Sequence, residues 1–297
     1  MRPAPDTAAV RRAARKDGLV LRLADPSVLV CGIVNVTPDS FFDGGRYQEP
    51  AQAVEHALAL VDEGAELLDI GGESTHPGSE PPTVDEEIAR VVPVIDTLSR
   101  RTSVPMSVDT SRPEVMREAV AAGAVMINDV RALRMPGALH TAAALQVPVC
   151  LMHMQGEPRT MQAAPTYFDV VAQVRGFLRA RIRACRGAGI TDSHIVLDPG
   201  FGFGKSVAHN LTLLSALGHI SDLGFPVVAG LSRKSALGAV TGRGPGDRLA
   251  ASIAAAVMAT QRGASLLRVH DVAATVDALA IMSAVATAPL GDPDTAR

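Results

Sequence analysis

The sequence predicts an α/β protein in which eight parallel strands, each followed by a helix, close into a (β/α)8 barrel. Apolar segments of strand length alternate with longer helical patterns eight times along the chain. Apolar residues make up 47% of the chain and aromatic residues only 3%, with no Trp, which suits buried parallel strands covered by helices. The 297 residues are enough for such a barrel, which needs roughly 250. An open doubly wound sheet is the alternative fold, but it usually shows a composition shift between its halves, and this chain has none.

The individual elements follow from apolar runs for strands and amphipathic stretches for helices. The predicted strands are residues 28–36, 67–71, 104–109, 125–129, 147–153, 194–198, 225–230 and 266–270. The predicted helices are residues 50–64, 83–100, 112–122, 136–145, 168–188, 207–219, 246–262 and 273–286. Thr83 with Glu86 three residues later resembles a capping box, and Ser111 before Pro113 marks another helix start.

The two ends of the chain are predicted to lie outside this alternation. Residues 1–17 are rich in Ala and Arg and lack the apolar stretch of a signal peptide, so they are predicted to form a flexible extension. Residues 19–23 precede the turn-like Asp25-Pro26-Ser27 and are predicted to form a hairpin with the first strand that closes the barrel bottom. The predicted barrel domain therefore spans residues 18–288, and residues 289–297 form a tail.

Composition restricts the class of partner. The net charge is −3, with 28 basic and 31 acidic residues interspersed, which excludes a global field that recruits nucleic acid or a membrane surface and favours a small-molecule partner. No apolar run approaches the roughly 20 residues of a membrane span. Cys31, Cys150 and Cys185 lie far apart and form no CxxC motif, which indicates reduced thiols in a cytoplasmic protein.

Polar residues stand at the C-terminal end of every predicted strand, where the active sites of such barrels lie. Any one of them is an ordinary turn or cap residue, but all eight together indicate a site at this rim. In chain order they are Asn35, residues 71–75, Asp109, residues 128–129, His153, Asp198, residues 232–234 and residues 268–270.

These strand ends carry motifs that resemble the dihydropteroate synthase family of pterin-binding TIM barrels. They read NVTPDSF from residue 35, GGESTHPG from residue 71, SVDT from residue 107, IND from residue 127, LDPGFGFGK from residue 197, SRKS from residue 232 and RVHD from residue 268. The resemblance implies condensation of 6-hydroxymethyl-7,8-dihydropterin diphosphate with 4-aminobenzoate to give 7,8-dihydropteroate and diphosphate in folate biosynthesis. It also implies Mg²⁺ as cofactor and a homodimer formed through the late helices.

Residue chemistry supports a pterin pocket at this rim. Asp109 and Asp198 can accept hydrogen bonds from the donor edge of a pterin, and Asn128 can both donate and accept. Lys234 is expected at the carbonyl side of the ring. The resemblance adds residues that line the pocket or stack on the pterin face, namely Met152, Phe203, Gly230 and Arg268.

The diphosphate requires a second set of groups. Asn35 is expected to supply an oxygen to Mg²⁺, an ion that shares its coordination with water and substrate phosphates. Arg268 and His270 can donate to phosphate oxygens, assisted by the N-terminus of the following helix. The metal and the basic groups then stabilise the leaving diphosphate, and no nucleophilic side chain is required. No Cys/His cluster predicts a zinc site.

Two Gly- and Pro-rich segments, residues 37–50 and 71–82, are predicted to act as lids. In the first, Asp43 is predicted to support the metal, which completes a catalytic set with Asn35, Lys234, Arg268 and His270. Thr75 and His76 are expected at the diphosphate, although the family commonly has Arg at position 76. The resemblance places 4-aminobenzoate near Phe41, Thr75, Pro77, Phe203, Ser232 and Lys234.

Three alternatives remain open from the sequence. Residues 200–206 end like a phosphate-binding P-loop, but Pro199 occupies the position of the first required glycine, so a pterin-pocket loop is favoured. A barrel that transfers a methyl group from a folate to a corrinoid protein would share the pterin acceptors but has no use for the basic groups. A non-catalytic binding barrel would not need the complete set of strand-end residues.

Residues 249–260 are apolar almost all round, so a helix here is predicted to be covered by the barrel on one side and by a second subunit on the other.

Overall fold

The eight predicted strands form one closed parallel barrel. The computed structural model describes residues 7–36, 50–73 and 81–288. The strands are β1 (Leu29–Asn35), β2 (Leu67–Gly71), β3 (Met106–Asp109), β4 (Met126–Asp129), β5 (Val149–Met152), β6 (Ile195–Asp198), β7 (Val228–Ala229) and β8 (Leu266–Val269). They pair in the order β6-β5-β4-β3-β2-β1-β8-β7, and a parallel bridge between Leu197 and Val227 joins the two ends of that order. The barrel prediction is confirmed, and the open doubly wound sheet is excluded.

Helices follow the strands and cover the outside of the barrel. Within the described ranges they are α1 (Thr7–Ala24), α2 (Pro50–Asp62), α3 (Val84–Arg101), α4 (Pro113–Ala122), α5 (Ala138–Leu145), α6 (Val170–Gly187), α7 (Val207–Ser215), α8 (Gly218–Ser221), α9 (Ser235–Thr241), α10 (Leu249–Thr260) and α11 (Val272–Thr287). The capping box of Thr83 and Glu86 is present at the start of α3. The helix predicted over residues 207–219 is divided into α7 and α8, and α9 was not predicted.

The strand register places the C-terminal strand ends at one level. Asn35 is opposite Gly71, Gly71 is opposite Asp109, and Asp109 is opposite Asn128. Because neighbouring strands are parallel and the sheet is closed, the side chains at these ends converge over the barrel axis. Apolar side chains fill the layer between strands and helices. None of the helices in the described ranges is long and apolar enough to cross a membrane.

The prediction of an N-terminal hairpin is wrong, because residues 19–23 belong to helix α1. Both edges of β1 are occupied by β2 and β8, so the closed barrel leaves no edge for another strand. The helix closes the barrel bottom instead, with Leu19 and Leu23 packed against apolar residues from the strands. Arg12 and Arg15 donate to backbone carbonyls at the C-terminal ends of α4 and α3. Helix α1 continues across residue 17, the predicted boundary between the flexible extension and the barrel domain.

Candidate active site

The structure brings most of the predicted site residues to the C-terminal rim of the barrel. The strands end at or one residue beyond Asn35, Asp109, Asn128, Met152, Asp198 and Arg268. The segments that directly follow β6, β7 and β8 carry Phe203, Gly230, Ser232, Lys234 and His270. Five predicted residues, Phe41, Asp43, Thr75, His76 and Pro77, lie outside the described residues, so their roles remain predictions.

Arg268 is the centre of a bonded network that crosses the barrel. Its Nε donates to Asp69 Oδ2 at 2.5 Å, and its Nη2 donates to Asp109 Oδ2 at 3.0 Å. Asp69 Oδ2 also accepts from Asn128 Nδ2 at 3.0 Å, and Oδ1 accepts from the Ser107 hydroxyl at 2.6 Å. The network therefore ties together β2, β3, β4 and β8 and orients three predicted ligand-binding side chains.

Asp69 is a member of this network that sequence reasoning missed. The residue lies inside β2, between Leu68 and Ile70, so the pattern of polar strand ends does not include it. A carboxylate in the middle of a buried strand is itself a signal, since a buried charge requires a charged or hydrogen-bonding partner. That signal predicts a cation at the same level of the barrel, and Arg268 supplies it.

Two carboxyl groups of the site have raised pKa values. Burial raises the pKa of Asp109 to about 8, and the neighbouring charge of Asp69 acts in the same direction, while Arg268 opposes both. Burial also raises the pKa of Asp198, against the opposing charge of Lys234. The backbone N–H of Gly200 donates to Asp198 Oδ1 at 2.6 Å. Both carboxyls therefore lie where a ligand that donates hydrogen bonds would favour the ionised form.

Lys234 lies between the charged groups and an apolar wall. Burial, and then the positive charge of Arg268, lower the pKa of Lys234 to about 8. Its Nζ lies 4.3 Å from the centre of the Phe203 ring, in a cation–π contact. Phe203 packs with Met152, Met154 and other buried apolar side chains. The predicted pocket residues Met152 and Phe203 are thus brought together beside Lys234.

The loop after β6 is held by its own backbone and by Lys205. Gly200 and Gly204 have positive φ of 69° and 61°, and a Cβ at either position would overlap a carbonyl oxygen of the preceding β5 loop. Lys205 Nζ donates to the carbonyls of Gly200 at 2.8 Å and Phe203 at 3.1 Å, and lies 3.0 Å from His153 Nδ1. Burial, and then the charge of Lys205, lower the pKa of His153 to about 3, so its ring is neutral. Lys205 therefore fixes the loop from within, and the P-loop alternative is wrong.

The turns after β7 and β8 hold Ser232 and His270 together. Ser232 Oγ lies 3.0 Å from His270 Nδ1 and also accepts the His270 backbone N–H at 3.2 Å. Burial, followed by the charges of Arg268 and Arg233, lowers the pKa of His270 to about 4. Arg233 has a positive φ of 56° and pairs with Asp271 at 2.6 Å. His270 is thus a neutral imidazole at the rim, which offers one N–H donor rather than a positive charge.

Asn35 is the residue predicted to bind a metal. Its half-buried carboxamide ends β1, and no described residue forms a hydrogen bond with it. The described ranges contain no group of three or more His, Cys, Asp or Glu residues arranged to hold a metal. The carboxamide of Asn35 offers a neutral oxygen, which suits Mg²⁺ bound mainly by water and substrate phosphates.

Taken with the barrel, these groups define a class of protein: an α/β barrel with hydrogen-bond acceptors for a polar heterocycle and cationic donors for an anion. The profile of the family described as Pterin binding enzyme matches residues 31–270. The dihydropteroate synthase of Escherichia coli (strain K12) is 48% identical over 271 residues, which cover 91% of this chain and 95% of that relative.

Two solved structures of the dihydropteroate synthase from Xanthomonas albilineans are similar to the whole barrel. The structure with 4-aminobenzoic acid is 58% identical, with a TM-score of 0.84 over 89% of this chain and 94% of that one. The structure with 7,8-dihydropteroate is 56% identical, with a TM-score of 0.81 over 89% and 95% of the two chains.

The chain therefore belongs to the pterin binding enzyme family. Its function is that of the dihydropteroate synthases within that family, a transferase activity of folate biosynthesis. The predicted family, fold and enzyme class are confirmed. The site and these relatives favour the synthase over a corrinoid-dependent methyltransferase or a non-catalytic binding barrel.

Proposed function

We propose that the rim binds the dihydropterin ring through Asp109, Asn128 and Asp198, binds the diphosphate through Arg268 and His270, and promotes departure of diphosphate from the pterin methylene. One observation carries this assignment of roles. Asp109, Asn128 and Arg268 come from three different strands, yet they belong to one hydrogen-bonded network, buried at Asp69, at the C-terminal end of the barrel. Such preorganisation is what a site needs when it stabilises developing charge.

Recognition of the pterin ring depends on acceptors. A dihydropterin presents an amino group and ring N–H groups along one edge, and the carboxylates of Asp109 and Asp198 can accept from them. Each such charge-assisted bond contributes about 1.5–3 kcal/mol. Lys234, which is half-buried beside Phe203, donates to the carbonyl oxygen of the same ring. Met152 and Phe203 supply the apolar wall.

The diphosphate lies between β8 and β1. Arg268 uses two of its N–H groups in the network, and those that remain can donate to phosphate oxygens. His270 contributes a neutral N–H donor, and the N-terminus of α11 lies directly behind it. Asn35 would hold Mg²⁺, which when bound neutralises charge on the leaving diphosphate.

The bond changes need no covalent intermediate with the protein. The C–O bond between the pterin methylene and the diphosphate breaks, the electron pair leaves with the diphosphate, and the electron-rich ring stabilises the resulting cation. The amine nitrogen of 4-aminobenzoate then forms the C–N bond, and the acidic arylammonium loses its proton to solvent. The described residues assigned to this second substrate are Phe203 and Lys234, which contact each other, and Ser232, which lies in the same turn after β7 as Lys234.

Diphosphate release in a coupled assay tests the proposal. Release should require the pterin diphosphate, 4-aminobenzoate and Mg²⁺ together, and should be accompanied by an equal amount of 7,8-dihydropteroate. Release at the same rate without 4-aminobenzoate would indicate a hydrolase. No release at all would leave only a binding protein, and methyl transfer from a folate to a corrinoid would establish the alternative enzyme.

We further propose that the chain forms a homodimer through α10 and α11. These helices are apolar, and they expose Leu249, Met258, Ile281 and Val285. Large apolar side chains on adjacent late helices are expected to be covered in the assembled protein. Light scattering at micromolar concentration should give the mass of two chains, and a mass of 30.9 kDa would contradict the dimer.

We also assign the enzyme to the cytoplasm. Cys31, Cys150 and Cys185 are buried and unpaired. Burial raises the pKa of each of these thiols, which keeps them protonated and unreactive. Free buried thiols of this kind are typical of a reducing compartment.

A further inference from the structure

Asp69 is a buried carboxylate that has no role in the reaction described above. Its side chain is 2% exposed, and the residue lies two positions before the C-terminal end of β2. Three donors from three other strands use its two oxygens: Arg268 Nε at 2.5 Å, Ser107 Oγ at 2.6 Å and Asn128 Nδ2 at 3.0 Å. Two of those donors belong to side chains assigned to the substrate.

We propose that Asp69 is the positioning residue of the pterin site, which fixes the orientation of Arg268 and Asn128 from inside the barrel. The inference rests on the proposed function, because it explains how that site is held rather than what the site binds. Burial of a carboxylate is costly unless its partners are well placed, so these donors are held firmly. Asp69 thereby determines which polar atoms of its two neighbours remain for the ligand.

For Arg268, Asp69 fixes the plane of the guanidinium. Asp69 accepts a hydrogen bond from Nε and Asp109 accepts one from Nη2. Two carboxylates from different strands therefore fix two sides of one planar group. No described residue accepts a hydrogen bond from Nη1. The free N–H groups therefore share the plane that Asp69 sets, and a phosphate must approach in that plane.

For Asn128, Asp69 removes the freedom of the amide to turn over. Nδ2 gives one hydrogen to Asp69, so Oδ1 lies in the same plane on the other side of the Cβ–Cγ bond. One acceptor and one remaining N–H donor are then available side by side. This pattern complements a ring nitrogen next to an amino group, as in a pterin, and mismatches the N–H next to a carbonyl that a lumazine presents at the same positions.

Two substitutions of Asp69 separate geometry from charge. In Asp69→Asn, the new amide can place its NH2 towards the Ser107 hydroxyl, which can accept, and keep its oxygen for Arg268 and Asn128. In Asp69→Ala, nothing holds either neighbour from below. Glu87→Gln provides a matched control, because Glu87 is also a fully buried carboxylate, but it lies on α3 and pairs with Arg112 at 3.3 Å outside the network of Arg268.

Calorimetric titration with 6-hydroxymethylpterin and 6-hydroxymethyllumazine tests the inference. Wild-type protein should prefer the pterin. Asp69→Ala should bind the pterin roughly tenfold or more weakly and lose much of the preference over the lumazine, because Asn128 can now turn over. Asp69→Asn should retain the preference. Glu87→Gln should keep the affinity and the preference of the wild type, because it leaves Arg268 and Asn128 bonded to Asp69.

The inference is overturned if folded Asp69→Ala keeps the wild-type affinity and preference, or if Asp69→Asn loses the preference as completely as Asp69→Ala. If Asp69→Ala shows no cooperative melting transition, Asp69→Ser answers the same question, since its hydroxyl is too short to reach both neighbours. Wild-type protein that bound neither compound would refute the proposed function instead.

Discussion

Asp109 and Asp69 share one cation, and replacement of Asp109 should therefore move stability and substrate binding in opposite directions. Burial and the nearby charge of Asp69 both disfavour ionisation of Asp109. Arg268 favours ionisation and pairs with both carboxylates. Asp109→Asn keeps the shape of the side chain and an oxygen for Arg268, but it removes the negative charge. We expect the folded protein to become more stable and its affinity for the pterin to fall.

The magnitude of the stability gain follows from the pKa of Asp109, which rises from 3.8 to about 8. Each tenfold change in proton affinity corresponds to about 1.4 kcal/mol, which sets a ceiling of roughly 6 kcal/mol on the cost of ionising this group in the fold. Relaxation and solvent screening around a rim residue reduce that ceiling, and we expect a gain of about 1–3 kcal/mol.

The sign of the pH dependence is determined by a folded-state pKa that exceeds the unfolded value. Below pH 4 the carboxyl is protonated in both states and Asp109→Asn should match the wild type. As pH rises from about 4 to about 8, the unfolded state ionises first and the wild type loses stability relative to the variant, while above pH 8 the difference is constant. Two other groups that face Asp109, Asp129 and Glu73, act in the same direction.

Urea denaturation at pH 4 and pH 8 measures the stability difference, and calorimetry with the pterin diphosphate measures binding. The loss of one charge-assisted hydrogen bond, about 1.5–3 kcal/mol, should weaken binding roughly 10- to 150-fold. A variant that is less stable than the wild type at pH 8, or that binds the pterin with unchanged affinity, would refute the reasoning.

Three further substitutions test separate parts of the structure. Gly200→Ala should abolish activity by displacing the loop after β6, because φ is 69° and a Cβ would overlap the carbonyl of His153; wild-type turnover would show that the loop can adapt. His270→Ala should reduce kcat roughly 10- to 100-fold by removing a donor to the leaving group, and steady-state kinetics with an unchanged Tm would support this reading. Arg15→Ala should lower the free energy of unfolding by about 1 kcal/mol, since Arg15 binds the last carbonyls of α3, while kcat and KM stay those of the wild type.

The barrel was predictable because its signal is local and repeated. Apolar strands and helical patterns alternate eight times, and each strand end carries a polar residue, so parallel pairing alone brings those ends together. The prediction of an N-terminal hairpin is wrong because β1 already pairs with β2 and β8 in the closed sheet. The local sequence around residues 19–23 does not contain that information.

The contacts inside the site were less predictable. Asp109, Asn128 and Arg268 could be assigned to the rim one by one, but their connection through Asp69 depends on which side chains meet across the barrel. Lys205 shows the same limit, since its position after a glycine-rich loop suggests ligand contact, whereas its ammonium points into the loop backbone. The low pKa of His270 follows from burial and from the charges of Arg268 and Arg233, and the sequence shows neither that burial nor the approach of Arg233.

The single-turnover rate of 7,8-dihydropteroate formation by Arg268→Lys tests the site most directly. Lysine keeps the positive charge but cannot bridge Asp69 and Asp109 while donating to a phosphate. With both substrates and Mg²⁺ saturating and Tm near that of the wild type, the rate should fall by roughly 100-fold or more. A rate equal to that of the wild type would place the departure of diphosphate elsewhere and contradict the role assigned to this network.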